Sequence, residues 1–367
     1  MSLRFLRGRH FFYFSFLFLI LPLVLALLLS GCGVSKEEPG KESEKESTKT
    51  EKSAEPEEYR IAVFIPGVMA GSPLYQMLAE GVEAAAEEYD FADVKVVEGG
   101  FNQAEWQDRV TELAATEEFD LIVSSNPALP EICEKVSSSF PNQKFLLLDG
   151  ELEGNSSIHT FRYNQYEQAF LAGHMAGLVT TGDMEGANKE LKIGLIAGQE
   201  YPDMNRSIRP GFLAGARRVN EDMSLDFRVI GNWYDATRAR EMANAMIKAG
   251  VDVILPIAGG ANQGVIKAAE ESGIYIHWYD TNGYKNAPGR VIGSTALLQR
   301  KAAYEKTLDA LEGRIPFGTA EVVGVSDGWI EFIFDDPLYI EHVPEKLRQK
   351  QVELFEELHS GRLKLDS

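Results

Sequence analysis

Cysteine is scarce: the 367 residues hold two, Cys32 and Cys133, so at most one bridge can form and a disulfide framework is excluded. A folded body must then rely on its core. Basic charge is also in short supply, 36 Lys and Arg against 56 Asp and Glu for a formal net charge of −20, which rules out a uniformly basic nucleic-acid binder. Histidine occurs six times (His10, His159, His174, His277, His342, His359) with no i,i+4 pair or other ligand-like spacing, so no metal site is expected. No Gly-x-Ser-x-Gly elbow is expected, and no Walker loop. The residues therefore assign no catalytic group and no cofactor.

What is present is unevenly distributed. Residues 1–34 carry three Arg and no acid, and residues 35–58 hold nine Glu against five Lys, which leaves residues 59–367 with about −19 of the total. Arg4, Arg7 and Arg9 precede an apolar run from Phe11 to Leu29 that closes on Leu29-Ser30-Gly31-Cys32. This is the small-residue cleavage pattern of a signal peptide with Cys at the first mature position, and it resembles the bacterial lipobox. That resemblance implies a lipoprotein signal peptide over residues 1–31 and a diacylglycerol thioether on Cys32. An uncleaved signal anchor is the alternative, since 19 apolar residues can span a bilayer. Either way the body is expected outside the cytoplasm. Residues 35–58 contain no aromatic and no aliphatic side chain larger than Ala54, so they bury too little to offset chain entropy and read, with Cys32, as a charged tether over 32–58.

The remaining 309 residues are enough to bury roughly 75% of their unfolded surface, commonly in two domains. From Tyr59 onward, short apolar runs alternate with stretches of 3.6-residue periodicity, the pattern of parallel sheets wrapped by helices. Strands are predicted at 60–65, 94–98, 120–124 and 144–149, with helices between them, the one over 128–139 carrying Ile132 and Val136 in its apolar stripe. Cys133 neighbours that stripe and reads as a small packing residue. After a helix over 165–180 a second series places strands at 191–197, 226–230, 251–257, 274–279 and 290–294. Two further strand-like runs, 321–325 and 329–334, precede a last amphipathic helix over 344–359. The fold class is α/β, with two doubly wound lobes and a cleft between the carboxyl ends of their strands. The expected lobes are 59–160 with 315–335, and 161–314 with 336–367.

Candidate site residues follow from that cleft. Asp149 and Asp280 each end a strand, one per lobe, where carboxylates would accept hydrogen bonds from hydroxyl or heterocycle N–H groups. Two acids also fit a glycosidase, yet placement on lobes that open and close favours clamping a ligand. Capping of the following loop is the bland alternative. Gly259 and Gly260, in the segment 258–264 that follows a strand and opens a helix, allow close backbone approach and leave helix N–H groups free; a tight turn is the alternative. Trp233 and Tyr234, just after a strand, would grip a planar ligand, whereas Trp106 and Phe161 read as core.

Taken together, Phe145–Asp149, Ala169–Gly173 with Ala176-Gly177, Lys192–Ile196, Gly211–Ala216, Gly231–Asp235, Val251–Ile254 followed by Ala258–Gly260, Asp280, and Ala303–Glu305 with Leu311–Gly313 resemble the basic membrane protein family of bacterial substrate-binding lipoproteins. The resemblance covers roughly residues 60–335. It implies the type I periplasmic-binding fold and the receptor of an ABC importer, whose lobes close on a ligand and dock on a membrane permease. Nucleoside binders of the family carry Asp-x-Ser-Phe-Asn after the first strand. Here Met69–Tyr75 stands in that place, so the stacking aromatic would be Tyr75. A second-lobe Phe is replaced near Ile208, and a ribose-contacting Lys aligns near Leu297, whereas Asp149, Gly259, Gly260 and Asp280 match. Residues 71–73 through 101–106 are similar to the related spirochaetal riboflavin receptors.

The expected protein is thus a non-enzymatic receptor, lipid-anchored to the membrane and facing away from the cytoplasm, monomeric by resemblance, and binding no nucleic acid. Its expected ligand is a small aromatic heterocycle with hydroxyls, riboflavin or a purine nucleoside, and its expected partner is a permease. The alternatives are a sensor of the same fold that signals to a receptor, and an extracytoplasmic nucleoside or sugar hydrolase.

Overall fold

The computed structural model describes residues 58–365. The expected signal peptide, Cys32 and nearly all of the expected tether lie outside that range. The first series runs β1 (Tyr59–Ile65), α1 (Pro73–Ala86), β2 (Ala92–Glu98), α2 (Trp106–Ala115), β3 (Leu121–Ser125), α3 (Leu129–Ser139), β4 (Lys144–Leu148) and β5 (Ile158–Tyr163). The second runs α4 (Gln165–Thr180), β6 (Lys192–Ala197), α5 (Arg209–Val219), β7 (Ser224–Val229), α6 (Ala236–Lys248), β8 (Val253–Ile257), α7 (Asn262–Ser272), β9 (Tyr275–Asp280) and β10 (Val291–Leu297). Then come α8 (Gln299–Leu311), β11 (Ala320–Val323), β12 (Ile330–Phe332), α9 (Pro337–His342) and α10 (Glu345–His359).

Two six-stranded sheets result, ordered β11-β5-β4-β3-β1-β2 and β12-β10-β9-β8-β6-β7. All pairings are parallel except β10 with β12. The central strands are continuous apolar runs, because helices cover both faces and no face meets water. Residues 61–65 of β1, for example, are fully buried. Cys133 is free and buried in α3; burial pushes its thiol well up, as suits a packing residue.

The two α/β lobes agree with the sequence pattern, but their boundaries do not. β5, absent from the predicted strands, continues the first sheet to Tyr163. α8 packs on α1 in the first lobe: a Cβ on Gly81 would stand 2.4 Å from the Arg300 carbonyl oxygen. Of the two late runs expected in the first lobe, only β11 joins that sheet; β12 pairs with β10 in the second. Both are short half-buried strands, and their residue pattern does not encode which sheet edge they meet. The chain therefore crosses between lobes near residues 164, 298 and 324–329. The string Gly324–Gly328 reads Gly-x-Ser-x-Gly, but it joins two strands at the last crossing and opens no helix. There Glu167 Oε2 accepts the Val325 N–H at 2.8 Å, and Ser326 is exposed.

α4 and α5 pack backbone to backbone. A Cβ on Gly173 would come within 1.9 Å of the Phe212 carbonyl oxygen, and one on Gly215 within 2.0 Å of the Phe170 carbonyl oxygen. Among the described residues no helix is long and apolar enough to cross a membrane.

Candidate functional site

A cleft of about 800 Å³ opens between the carboxyl ends of the two sheets, with walls from α1, α2 and α3 on one side and from the loops after β6, β7, β8 and β9 on the other. Strand order reverses at these ends in each lobe, the place where parallel sheets leave a crevice. The structure brings Tyr75, Asp149, Trp233, Gly259, Gly260 and Asp280 into its lining.

The two acids occupy matching positions. Asp149 follows β4 and Asp280 ends β9, and each adopts a left-handed backbone, with φ of 58° and 68°. Such conformations are uncommon outside glycine but open to Asp, whose short polar side chain tolerates them. They turn each carboxylate off its strand end. α4 then holds both. Gln165 Nε2 donates to Asp149 Oδ1 at 2.7 Å, and Gln168 Nε2, one turn later, donates to Asp280 Oδ1 at 3.0 Å and to the Thr295 carbonyl at 3.3 Å.

Burial raises the carboxyl group of Asp149 well above the usual range, and the charge of Asp280 adds to the shift, with Gln165 and Arg162 opposing it. Burial likewise pushes Asp280 up to about 6, opposed by Gln168. Lys135 is the basic side chain of the cleft lining, and it is already paired with Glu131 at 2.6 Å. The floor is therefore rich in acceptors and offers no free cation, which suits ligand donors and opposes anions.

Aromatic faces line the walls. Trp233 seats its indole against Gly198, where a Cβ would come within 2.5 Å of the ring. Tyr201 stands 6.3 Å from it, centroid to centroid, at 41°. The Trp233 carbonyl also accepts the Ala261 N–H at 3.2 Å, and a Cβ on Gly259 would stand 3.1 Å from that oxygen. Close approach of these two loops, rather than phosphate binding, therefore explains Gly259. On the first lobe Tyr75 donates its hydroxyl to the Pro66 carbonyl at 3.1 Å and accepts from Asn126 Nδ2 at 3.4 Å. Burial pushes that hydroxyl up to about 12, so it stays a neutral donor. A π-helical turn over Met204–Ile208 follows the cleft-lining Tyr201 and Pro202; such turns recur at functional sites.

Tyr234 departs from its predicted role: it is 70% exposed and outside the cleft lining. The Asn232 side chain accepts the N–H groups of Tyr234 and Asp235 at 3.0 and 2.8 Å, and that turn directs residue 234 outward. Asp235 then caps α6. Leu297, at the position aligned with a ribose-contacting Lys, is buried. Phe161 is core as predicted, whereas Trp106, 7% exposed, donates its indole N–H to the Gly100 carbonyl at 2.9 Å and also reaches the cleft.

Sequence reasoning missed Gln165, Gln168, Ser125, Tyr201 and Trp278. One signal was available: Gln165 and Gln168 are polar residues three apart at the head of a helix with 14 of 16 residues buried. No cluster of three or more His, Cys, Asp or Glu side chains placed to hold a metal ion occurs among the described residues.

Known proteins bear on this geometry. A solute-binding protein of an ABC transporter system from Aeropyrum pernix K1 has the same fold, with a TM-score of 0.72 and 22% identity over 84% of this chain and 93% of that one. Basic membrane protein A of Borreliella afzelii is 25% identical over 64% of this chain and 70% of its own length. The ABC transporter nucleoside-binding protein BmpA of Lactococcus lactis is 23% identical over 59% of this chain and 64% of its own length. The CD4+ T-cell-stimulating antigen of Listeria monocytogenes is 27% identical over 157 residues, 43% of this chain and 42% of its own length. Residues 59–364 match the Bmp family model, described as ABC transporter substrate-binding protein PnrA-like, and the chain belongs to that family.

Proposed function

We propose that the protein is the extracytoplasmic receptor of an ABC importer, anchored to the membrane through Cys32, and that its two lobes close on a neutral aromatic heterocycle bearing hydroxyls, riboflavin or a purine nucleoside. The observation that carries this reading is the acceptor-rich floor of Asp149 and Asp280 beneath the aromatic walls of Tyr75, Trp106, Trp233 and Trp278. A planar ring stacks on such faces, and a hydroxylated tail supplies donors to the acids. The name of the Lactococcus relative as a nucleoside-binding protein supports the class, and the importer role follows the family description. A relative from Haloferax volcanii is named a putative glucose-binding protein, so glucose is the natural contrast.

The absorption spectrum of the purified protein is the first test, since retained flavin would colour it yellow. Titration with riboflavin, guanosine, adenosine, inosine and glucose follows. Binding of glucose with none of the heterocycles would sink the proposed ligand class. Trp233→Ala is expected to weaken binding of the heterocycle by about 1–3 kcal/mol, the scale for removing one stacking partner. Tyr234→Ala, which removes an outward-facing ring, is expected to leave the dissociation constant unchanged. Equal effects of the two substitutions would remove Trp233 from the site.

A further inference from the structure

We propose that Gln165 reads the ligand directly, presenting an unpartnered carboxamide oxygen beside the Asp149 carboxylate so that the two together accept two adjacent hydrogen-bond donors. The inference deepens the proposed function and rests on its ligand class. Gln165 is the first residue of α4, 5% exposed, and lines the cleft. Its Nε2 donates to Asp149 Oδ1 at 2.7 Å, which leaves Oε1 over. Oε1 is buried and has no hydrogen-bond partner.

A buried acceptor without a partner is unusual and calls for a physical reason. Here the surroundings keep it from finding one within the protein. Asn164 caps α4 through the Glu167 N–H at 3.2 Å, and the Tyr279 hydroxyl donates to the Gln165 backbone carbonyl at 3.2 Å. The first turn of α4 is thereby fixed, with the side chain anchored on Asp149. Gln168 Oε1 is also unpartnered, but that residue does not line the cleft. Gln165 Oε1 and Asp149 therefore form the part of the floor that a ligand edge with two neighbouring donors completes. Vicinal hydroxyls meet this requirement, and so do adjacent N–H groups such as a guanine edge. Phosphate and carboxylate groups present only acceptors there and are rejected.

The test is calorimetric titration of the wild-type protein and Gln165→Met, which keeps the side-chain length without either polar atom. The probes are guanosine, 2′-deoxyguanosine, inosine, riboflavin and lumiflavin. The variant is expected to bind the parent guanosine or riboflavin 10- to 100-fold more weakly. The analogue lacking the donor that faces Gln165 should bind both proteins alike. If that analogue is 2′-deoxyguanosine or lumiflavin, hydroxyls face the amide; if it is inosine, the base edge does. Binding of the parent ligand by Gln165→Met within twofold of wild type would overturn the proposal. So would an equal loss for every probe, which would make Gln165 only a support for Asp149. A wild-type protein that binds none of the five overturns the ligand class and this inference together, an outcome distinct from the other two.

Discussion

Gly215→Val is expected to leave no folded second lobe, and the milder Gly215→Ala to lower the urea midpoint sharply. A Cβ at residue 215 would stand 2.0 Å from the Phe170 carbonyl oxygen and 2.8 Å from the His174 nitrogen, well inside contact distance and against backbone that cannot swing aside. Gly173 faces the Phe212 carbonyl in the same way, so the two helices cannot slide to relieve one contact without tightening the other. α4 cannot retreat either, because all but two of its 16 residues are buried. Separating the pair would open voids along the interface, at about 3 kcal/mol or more for the alanine. That is a large part of the net stability of an ordinary domain. Gly260→Ala provides the contrast, since its Cβ would meet the Trp233 carbonyl at an ordinary 3.6 Å. Equal urea midpoints for wild type and Gly215→Ala would show that the helices do not pack this closely.

Asp280→Asn is expected to stabilise the ligand-free protein at pH 7 while weakening ligand binding. The folded protein raises this carboxyl group to about 6 from an ordinary value of 3.8. The folded state therefore holds the proton more tightly than the unfolded one, and the associated stability, complete below about pH 4, is lost as pH rises through 6. At pH 7 the buried charge costs about 2 kcal/mol, on the scale of ~1.4 kcal/mol for each tenfold change in proton affinity, discounted for the open cleft. Asparagine keeps the acceptor for Gln168 without the charge. The melting temperature of the variant should exceed that of wild type by several degrees at pH 7.5, and the gap should close toward pH 4.

Burial lowers His277 to about 3 and His174 to about 4, so both stay neutral in the fold and remove stability as pH falls below 6.5. This opposite trend is common to both proteins and cancels in the comparison. With the charged acceptor gone, binding of the heterocycle should fall by about 1–3 kcal/mol. A variant that melts with wild type at every pH would show that burial does not disfavour the charge of Asp280. The pairing of gained stability with lost binding is what a residue kept for function produces.

Much of the lining of the candidate site was legible in the sequence, and for local reasons. Asp149 and Asp280 follow apolar runs that could only be buried strands, so both had to stand at strand ends. Gly259 and Gly260 sit where a strand turns into a helix. Other residues were illegible because their role depends on partners far along the chain. Gln165 and Gln168 meet Asp149 and Asp280 across separations of 16 and 112 residues, and neither separation leaves a trace in local periodicity. Trp233 and Tyr234 are chemically alike and adjacent, and only the hydrogen bonds of Asn232 decide that one ring faces the cleft and the other the solvent.

The sequence by itself determined the two-lobed α/β plan, because alternating buried runs and amphipathic stretches have few other ways to hide their apolar faces. It also determined which strand ends carry acids, and the family. Only the tertiary structure decided where the chain crosses between lobes, since β11 and β12 look alike until each finds an edge to pair with. It alone decided why Gly173 and Gly215 are glycines, which depends on the distance between two helix backbones. The floor of the cleft was decided there as well. Its chemistry arises where the first turn of α4 meets the ends of β4 and β9, three segments distant in sequence whose side chains acquire raised pKa values and an unpartnered acceptor only by being buried together.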